Sequence, residues 1–174
     1  MSRTVTAKDK IINAFYKECA KTPVCDLQVA KITAEAGVNR GTFYEYFKDI
    51  DDLVEQVEMG LLNGVIDTIL AVLDKNKKAT LEDYLVAVFK AHFTQAKALC
   101  TFGDNGFAIR LTNTLKPFMI LILGADEKNP QDVAIVSYAL TGITGYINAV
   151  GKSDPQKAAK SLSVMINAMA KAKV

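Results

Sequence analysis

Residues Val29 to Phe47 read VAKITAEAGVNRGTFYEYF. Ile32 and Ala36 lie four residues apart in this stretch and so share one face of a short helix. Gly37 supplies the positive φ that a helix end needs before a sharp reversal. Asn39 is a favoured N-cap for a second helix, and Val38 and Phe43 can pack back against Ile32. Phe43 and Phe47, four apart and apolar, should face inward on that second helix. Asn39, Arg40, Thr42, Tyr44, Tyr46 and Lys48 are left for its outer faces. The pattern predicts a helix-turn-helix, whose second helix can lie in the major groove of DNA.

Working outward, Thr6 and Asp9 form a capping-box-like pair that opens a first helix. Ile11, Ile12, Phe15, Tyr16 and Cys19 give it an apolar face, and Thr22-Pro23 ends it. The second helix is expected from about Leu27 to Ala36 and the third from Asn39 to Phe47. Asp51 and Asp52 open a long fourth helix with a stripe of Leu53, Val57, Leu61, Val65, Ile69 and Val72. Its acids (Asp51, Asp52, Glu55, Glu58) come early and Lys75, Lys77 and Lys78 close it, as the helix dipole favours. Thr80-x-x-Asp83 caps a fifth helix bearing Leu81, Leu85, Val88, Phe89, Phe93 and Ala96, and Gly103 and Gly106 break it. Phe107 to Leu115 and Pro117 to Leu123 follow, as two short helices or one kinked at Pro117. After Asp126 to Pro130 a helix runs to about Val150. Asp154-Pro155 starts the last one, with an N-cap acid and proline at the first helical position. With no period-2 alternation, the chain is all-α: residues 1–50 a helix-turn-helix domain, residues 51–174 a helical domain for dimerisation and ligand binding.

The bulk properties fit this layout. The 174-residue chain is 50% hydrophobic with four prolines, as a compact helix-rich protein requires. No apolar run approaches the roughly 18 residues of a membrane span, and no secretory signal pattern opens the chain. No membrane association is expected. Cys19, Cys25 and Cys100 suggest neither a disulfide framework nor a zinc site, so a cytoplasmic location is expected. Residues 1–50 carry eight basic and six acidic residues while the remainder balances, which puts the whole net charge of +2 in the helix-turn-helix end.

The segment resembles the DNA-binding motif of the TetR family of bacterial regulators, through AEAGV at Ala34 to Val38 and GTFYEYF at Gly41 to Phe47. The order of helices around it is similar too. The resemblance implies Arg40, Gly41 and Thr42 at or near base edges, with Tyr44, Tyr46 and Lys48 on phosphates. Arginine can read guanine bidentately, and tyrosine hydroxyls can donate to phosphate oxygens. Gly41 costs helix propensity, so its role is read as close approach of backbone to DNA. Asn39 and Gln28 complete the expected DNA-binding set. Gln28 stands where a threonine or serine usually caps the second helix, leaving Asp26 to take the cap. Ile50 replaces a lysine common among relatives, and Thr33 replaces a packing alanine, so its hydroxyl needs a partner.

TetR relatives dimerise through their last two helices. Here Ala139, Gly142, Gly145 and Ala149 line one side of the penultimate helix with small residues that permit close approach, and Leu162, Met165, Ile166 and Met169 mark the last. Close packing inside one subunit would use the same stripe. Phe89, His92, Phe93, Phe107, Phe118 and Tyr146 are the candidate ligand-binding residues, aromatic walls for a small apolar effector with His92 and Tyr146 as polar groups. A kink at Pro117 would open space between helices. A filled core with a satisfied histidine is the alternative.

No cofactor or metal is expected. Gly151-Lys152-Ser153 is not a phosphate loop, because Tyr146 rather than glycine lies five residues before it and no strand precedes it. No Gly-x-Ser-x-Gly, His-Glu-x-x-His or paired-carboxylate pattern points to an enzyme. The function expected is a sequence-specific DNA-binding regulator, in the role of a repressor, homodimeric on a palindromic double-stranded operator. The rival is a helical small-molecule- or partner-binding protein with a vestigial head.

Overall fold

The computed structural model describes residues 5–102, 106–149 and 154–172. Gly103, Val150, Gly151, Lys152 and Ser153 lie outside them. The described residues form α-helices and one 3-10 turn. These are α1 (Ala7–Cys19), the 3-10 turn Val24–Asp26, α2 (Val29–Ala36), α3 (Arg40–Tyr46), α4 (Ile50–Lys75), α5 (Leu81–Phe102), α6 (Phe107–Leu123), α7 (Pro130–Ala149) and α8 (Pro155–Lys171).

The helix starts follow side-chain chemistry. Thr6 and Asp9 make a reciprocal capping box on α1. Asp49 Oδ1 accepts from the Asp52 amide at 2.8 Å to open α4 one residue earlier than Asp51 would. Thr80 and Asp83 bond each other at the start of α5. Asp154 Oδ1 accepts from the Gln156 amide at 2.8 Å, with Pro155 at the first helical position. Gly37 at φ 65° and Gly124 at φ 60° end α2 and α6 in the left-handed conformation that glycine adopts without steric cost.

Two expectations are corrected, and of the two readings left open for residues 107–123 the single helix is the one found. The second helix begins at Val29, because Leu27 is extended after the 3-10 turn. Asp26 lies within that turn; the N-cap is Gln28, which makes no side-chain capping bond. Residues 107–123 form a single helix that runs through Pro117. Pro117 is exposed on the outer side of that helix, while Leu111 and Met119 face the core.

α4 connects the two ends of the molecule. Its Leu53 and Val57 complete the head core of Ile11, Ala14, Phe15, Ile32, Phe43 and Phe47, and Leu61, Val65 and Ile69 continue into the core built by α5 to α8. Burying this stripe fixes the rotation of α4, and hence the direction in which the head projects. On length and composition α4 is apolar enough to cross a membrane, which short-run counting overlooks because Asp67, Asn63 and Gly60 interrupt it. Its five most apolar stripe positions are packed against protein instead.

Candidate functional site

α3 is a seven-residue helix, too short to persist by propensity alone. It is held by its cap and by its buried side. Asn39 Oδ1 accepts from the Thr42 amide at 2.7 Å. Phe43 and Phe47 are 0% and 1% exposed, with ring centroids 5.5 Å apart. Thr33 Oγ1 donates to Val29 O at 2.9 Å, which supplies the partner its hydroxyl needs and lets α2 close on α3. Lys17 Nζ to Glu35 Oε1 at 2.7 Å ties α1 to α2, and this bond holds the Glu35 carboxyl below its ordinary range.

This inner packing leaves an outward row. Arg40, Gly41, Tyr44, Tyr46 and Lys48 are exposed, with Tyr44 at 57%. Thr42 is half-buried, and Asn39 is exposed but its carboxamide oxygen is engaged as the cap. Gln28 is exposed at the start of α2, whose first-turn amides lack a side-chain cap and so remain available to an anion. Among the described residues, the Arg40 guanidinium and the Tyr44 hydroxyl have no hydrogen-bond or ion-pair partner. Gly41 also has a local reason: a Cβ there would stand 3.1 Å from Asn39 Oδ1 and crowd the cap.

A hydrogen-bonded chain anchors this helix to α4. The Lys48 amide donates to Asp52 Oδ2 at 2.8 Å, Gln56 Nε2 to Asp52 Oδ1 at 3.1 Å, and Lys8 Nζ to Gln56 Oε1 at 2.9 Å. The Lys48 amide, then Gln56, hold the Asp52 carboxyl below its ordinary range. Lys8 Nζ also sits 5.5 Å over the Phe47 ring. Sequence reasoning missed this chain, although Gln56 four residues after Asp52 was a usable signal. Ile50 is half-buried against the core, so it packs where a lysine would reach outward.

Within the helical body lies a cavity of about 60 Å³ between α4, α5, α6 and α7. Of the candidate ligand residues, Phe89, His92, Phe93 and Phe118 line it. Phe107 does not, being fully buried in the core. Tyr146 does not either; its ring stacks on Phe89 at 6.4 Å, behind the wall. His92 Nε2 lies 2.9 Å from Thr68 Oγ1. The wall is therefore hydrocarbon, without the polar pair expected of His92 and Tyr146.

The proposed dimer residues divide. Ala139, Leu162 and Ile166 are 1%, 6% and 2% exposed and belong to the core of the protomer, because they face α5 and the α7–α8 packing seam. Gly142, Gly145, Ala149, Met165 and Met169 face solvent. Tyr138 at 71% and Val164 at 59% extend that open face and went unnoticed in the sequence. Glu58, one of the early acids of α4, is not at the surface. It is 6% exposed, and Arg110 of α6 meets its Oε2. Among the described residues no group of three histidine, cysteine or acidic side chains could hold a metal ion.

Residues 11–57 match the family described as bacterial regulatory proteins, tetR family. The fatty acid metabolism regulator protein of Bacillus subtilis (strain 168) is 31% identical over 100 residues, covering 58% of this chain. The matched region is 48% of that protein, so the chain spans about half the length of this curated relative. The fold is shared along nearly the whole chain with two solved structures. The dihydroxyacetone kinase operon activator DhaS has a TM-score of 0.65 at 14% identity, covering 97% of this chain and 98% of that one. The fatty acid degradation regulator FadR from Bacillus halodurans has a TM-score of 0.62 at 20% identity, covering 91% and 93%. With its capped, inwardly locked α3 leading into the long α4, the segment at residues 11–57 is a helix-turn-helix domain of the kind found in the bacterial regulatory proteins of the tetR family.

Proposed function

We propose that the protein is a transcriptional repressor that binds a palindromic operator as a homodimer and is released by a small, neutral, apolar effector. The observation that carries this reading is the division of α3, with Phe43 and Phe47 sealed inside and Arg40, Tyr44 and Lys48 displayed outside. Arg40 and Thr42 would meet base edges, while Tyr44, Tyr46, Lys48 and the first turn of α2 at Gln28 would hold phosphates. Two heads would be spaced by one helical turn of DNA, roughly 34–36 Å. The open face of α7 and α8, with Gly142, Gly145, Met165 and Met169, supports pairing there.

The hydrocarbon wall supports the effector reading. A cavity of about 60 Å³ is well below the roughly 300–1,000 Å³ of a typical ligand site, so an effector would have to enlarge it. It would bind best to a conformation with α6 displaced, and that preference would shift the population away from the spacing that fits the operator. The curated relative is by name a regulator of fatty acid metabolism, and an alkyl or acyl chain suits such a wall. The cytoplasm is the proposed location. The test is a gel shift of the DNA upstream of the protein's own gene at fixed salt. A retarded complex of two chains per site that Arg40→Ala weakens would support the reading. Equal binding to unrelated DNA would overturn it.

A further inference from the structure

The imidazole of His92 lines the cavity with its ring seated against α4. A Cβ at Gly64 would fall 2.9 Å from His92 Cε1, so the ring occupies the space that any larger residue would fill. One turn further along α4, Thr68 Oγ1 donates to Gly64 O at 2.8 Å and lies 2.9 Å from His92 Nε2. A hydroxyl has one proton, and the Gly64 carbonyl, which can only accept, is the neighbour that requires it. Nε2 is then the protonated nitrogen and donates to Thr68. Gly64 and Thr68, four apart on one face of α4, form a seat of fitted shape and polarity.

No lysine or arginine lines the cavity, and the remaining wall is aliphatic or aromatic, with Tyr84 the other side chain bearing a polar atom. An ionised ligand would be desolvated there without a counter-charge. An unseated imidazole would change that, since its N–H could donate to a carboxylate and its other nitrogen could accept from a hydroxyl.

We propose that Gly64 and Thr68 determine the ligand specificity of this cavity, by holding the His92 nitrogens off its wall so that it accepts neutral hydrocarbon only. The proposal rests on the cavity being an effector site, and its test separates the two ideas. The full-length protein, Thr68→Val and Gly64→Ala are each titrated with toluene, benzyl alcohol and benzoate, three probes of nearly one shape, and followed by methyl NMR. Imidazole 15N shifts report the His92 tautomer without ligand. The expected result is toluene binding by the wild type, a protonated Nε2, and loss of that single tautomer in Thr68→Val. Both variants should favour benzyl alcohol and benzoate over toluene by about tenfold more than the wild type, the scale of one buried hydrogen bond. Thr68→Val preserves shape, so it remains informative if Gly64→Ala repacks α4. A wild type with Nδ1 protonated, or variants that bind toluene with unchanged selectivity, would overturn the proposal while leaving the effector cavity standing. A wild type that binds none of the probes, with the tautomer as expected, would instead remove the effector reading and the specificity role with it.

Discussion

Arg110 on α6 donates through Nε to Glu58 Oε2 on α4 at 3.1 Å, and its Nη2 reaches the same oxygen. Glu58 is buried, and Arg110 is partly open to solvent. Leu111, the next residue, lines the cavity, so one turn of α6 touches both the cavity and the helix that carries the head. Arg110→Met would leave a buried carboxylate without this partner. The expected loss is roughly 2–4 kcal/mol in urea unfolding, at or below the range for a fully buried pair because Arg110 is half-exposed. Glu58→Met with Arg110→Met should recover most of it, and equal instability of the single and double variants would show that the pair is not the cause.

Two groups on α1 lie close enough to feel the Glu58 charge. Burial, then Glu58, pushes the Cys19 thiol up to about 11 from 9.0, and burial, then Cys19 and Glu58, pushes the Tyr16 hydroxyl up as well. The folded protein thus holds the Cys19 proton to higher pH than the unfolded chain does. Its contribution is fully present below about pH 9 and is lost as pH climbs towards 11. The urea midpoint should be flat between pH 7 and 8.5 on this account and fall beyond it. Cys19→Ala should start lower but decline less steeply; an identical slope in the variant would assign the decline to other groups.

On the DNA face, Arg40→Ala is expected to relax base preference and weaken the best site by roughly 1–3 kcal/mol. Tyr44→Phe should weaken all sequences alike, since a phosphate contact carries no sequence information. Asn39→Ala acts differently, by removing the cap on the Thr42 amide, and should cost about 1 kcal/mol of stability. Binding titrations on matched and scrambled sites separate these cases. An Arg40→Ala protein with unchanged preference would move base reading to another residue.

Much of the head was legible because its signals are local. A glycine at a helix end, an asparagine cap and two phenylalanines four apart act within a few residues, and each is found where the pattern put it. The body was less legible because its decisive contacts join residues far apart in the chain. Glu58 and Arg110 are 52 residues apart and Thr68 and His92 are 24 apart, and neither pair leaves a periodic trace. Periodicity also cannot tell which of two apolar sides of a helix faces the protomer's own core. For that reason the sequence pattern sets Ala139, Leu162 and Ile166 beside Gly142 and Met165, and Phe107 and Tyr146 beside the cavity wall, where the structure separates them.

The same division sharpens the assembly prediction. A Cβ at Gly142 or Gly145 would meet nothing within 4 Å, so leucine at both positions fits the isolated protomer and should if anything raise helix propensity. Two copies brought together on this face would be held apart by those side chains, because close helix approach depends on small residues. Gly142→Leu with Gly145→Leu is therefore expected to give a folded monomer in sedimentation analysis, with helical content unchanged by circular dichroism. Operator affinity should fall steeply, since a single head retains only its own half-site contacts. Met165→Asp on α8, 64% exposed, tests the other half of the face by placing a charge where an apolar contact is expected. If both variants sediment as dimers, the chains pair elsewhere, and the apolar surface of Tyr138, Val164 and Met165 has another partner.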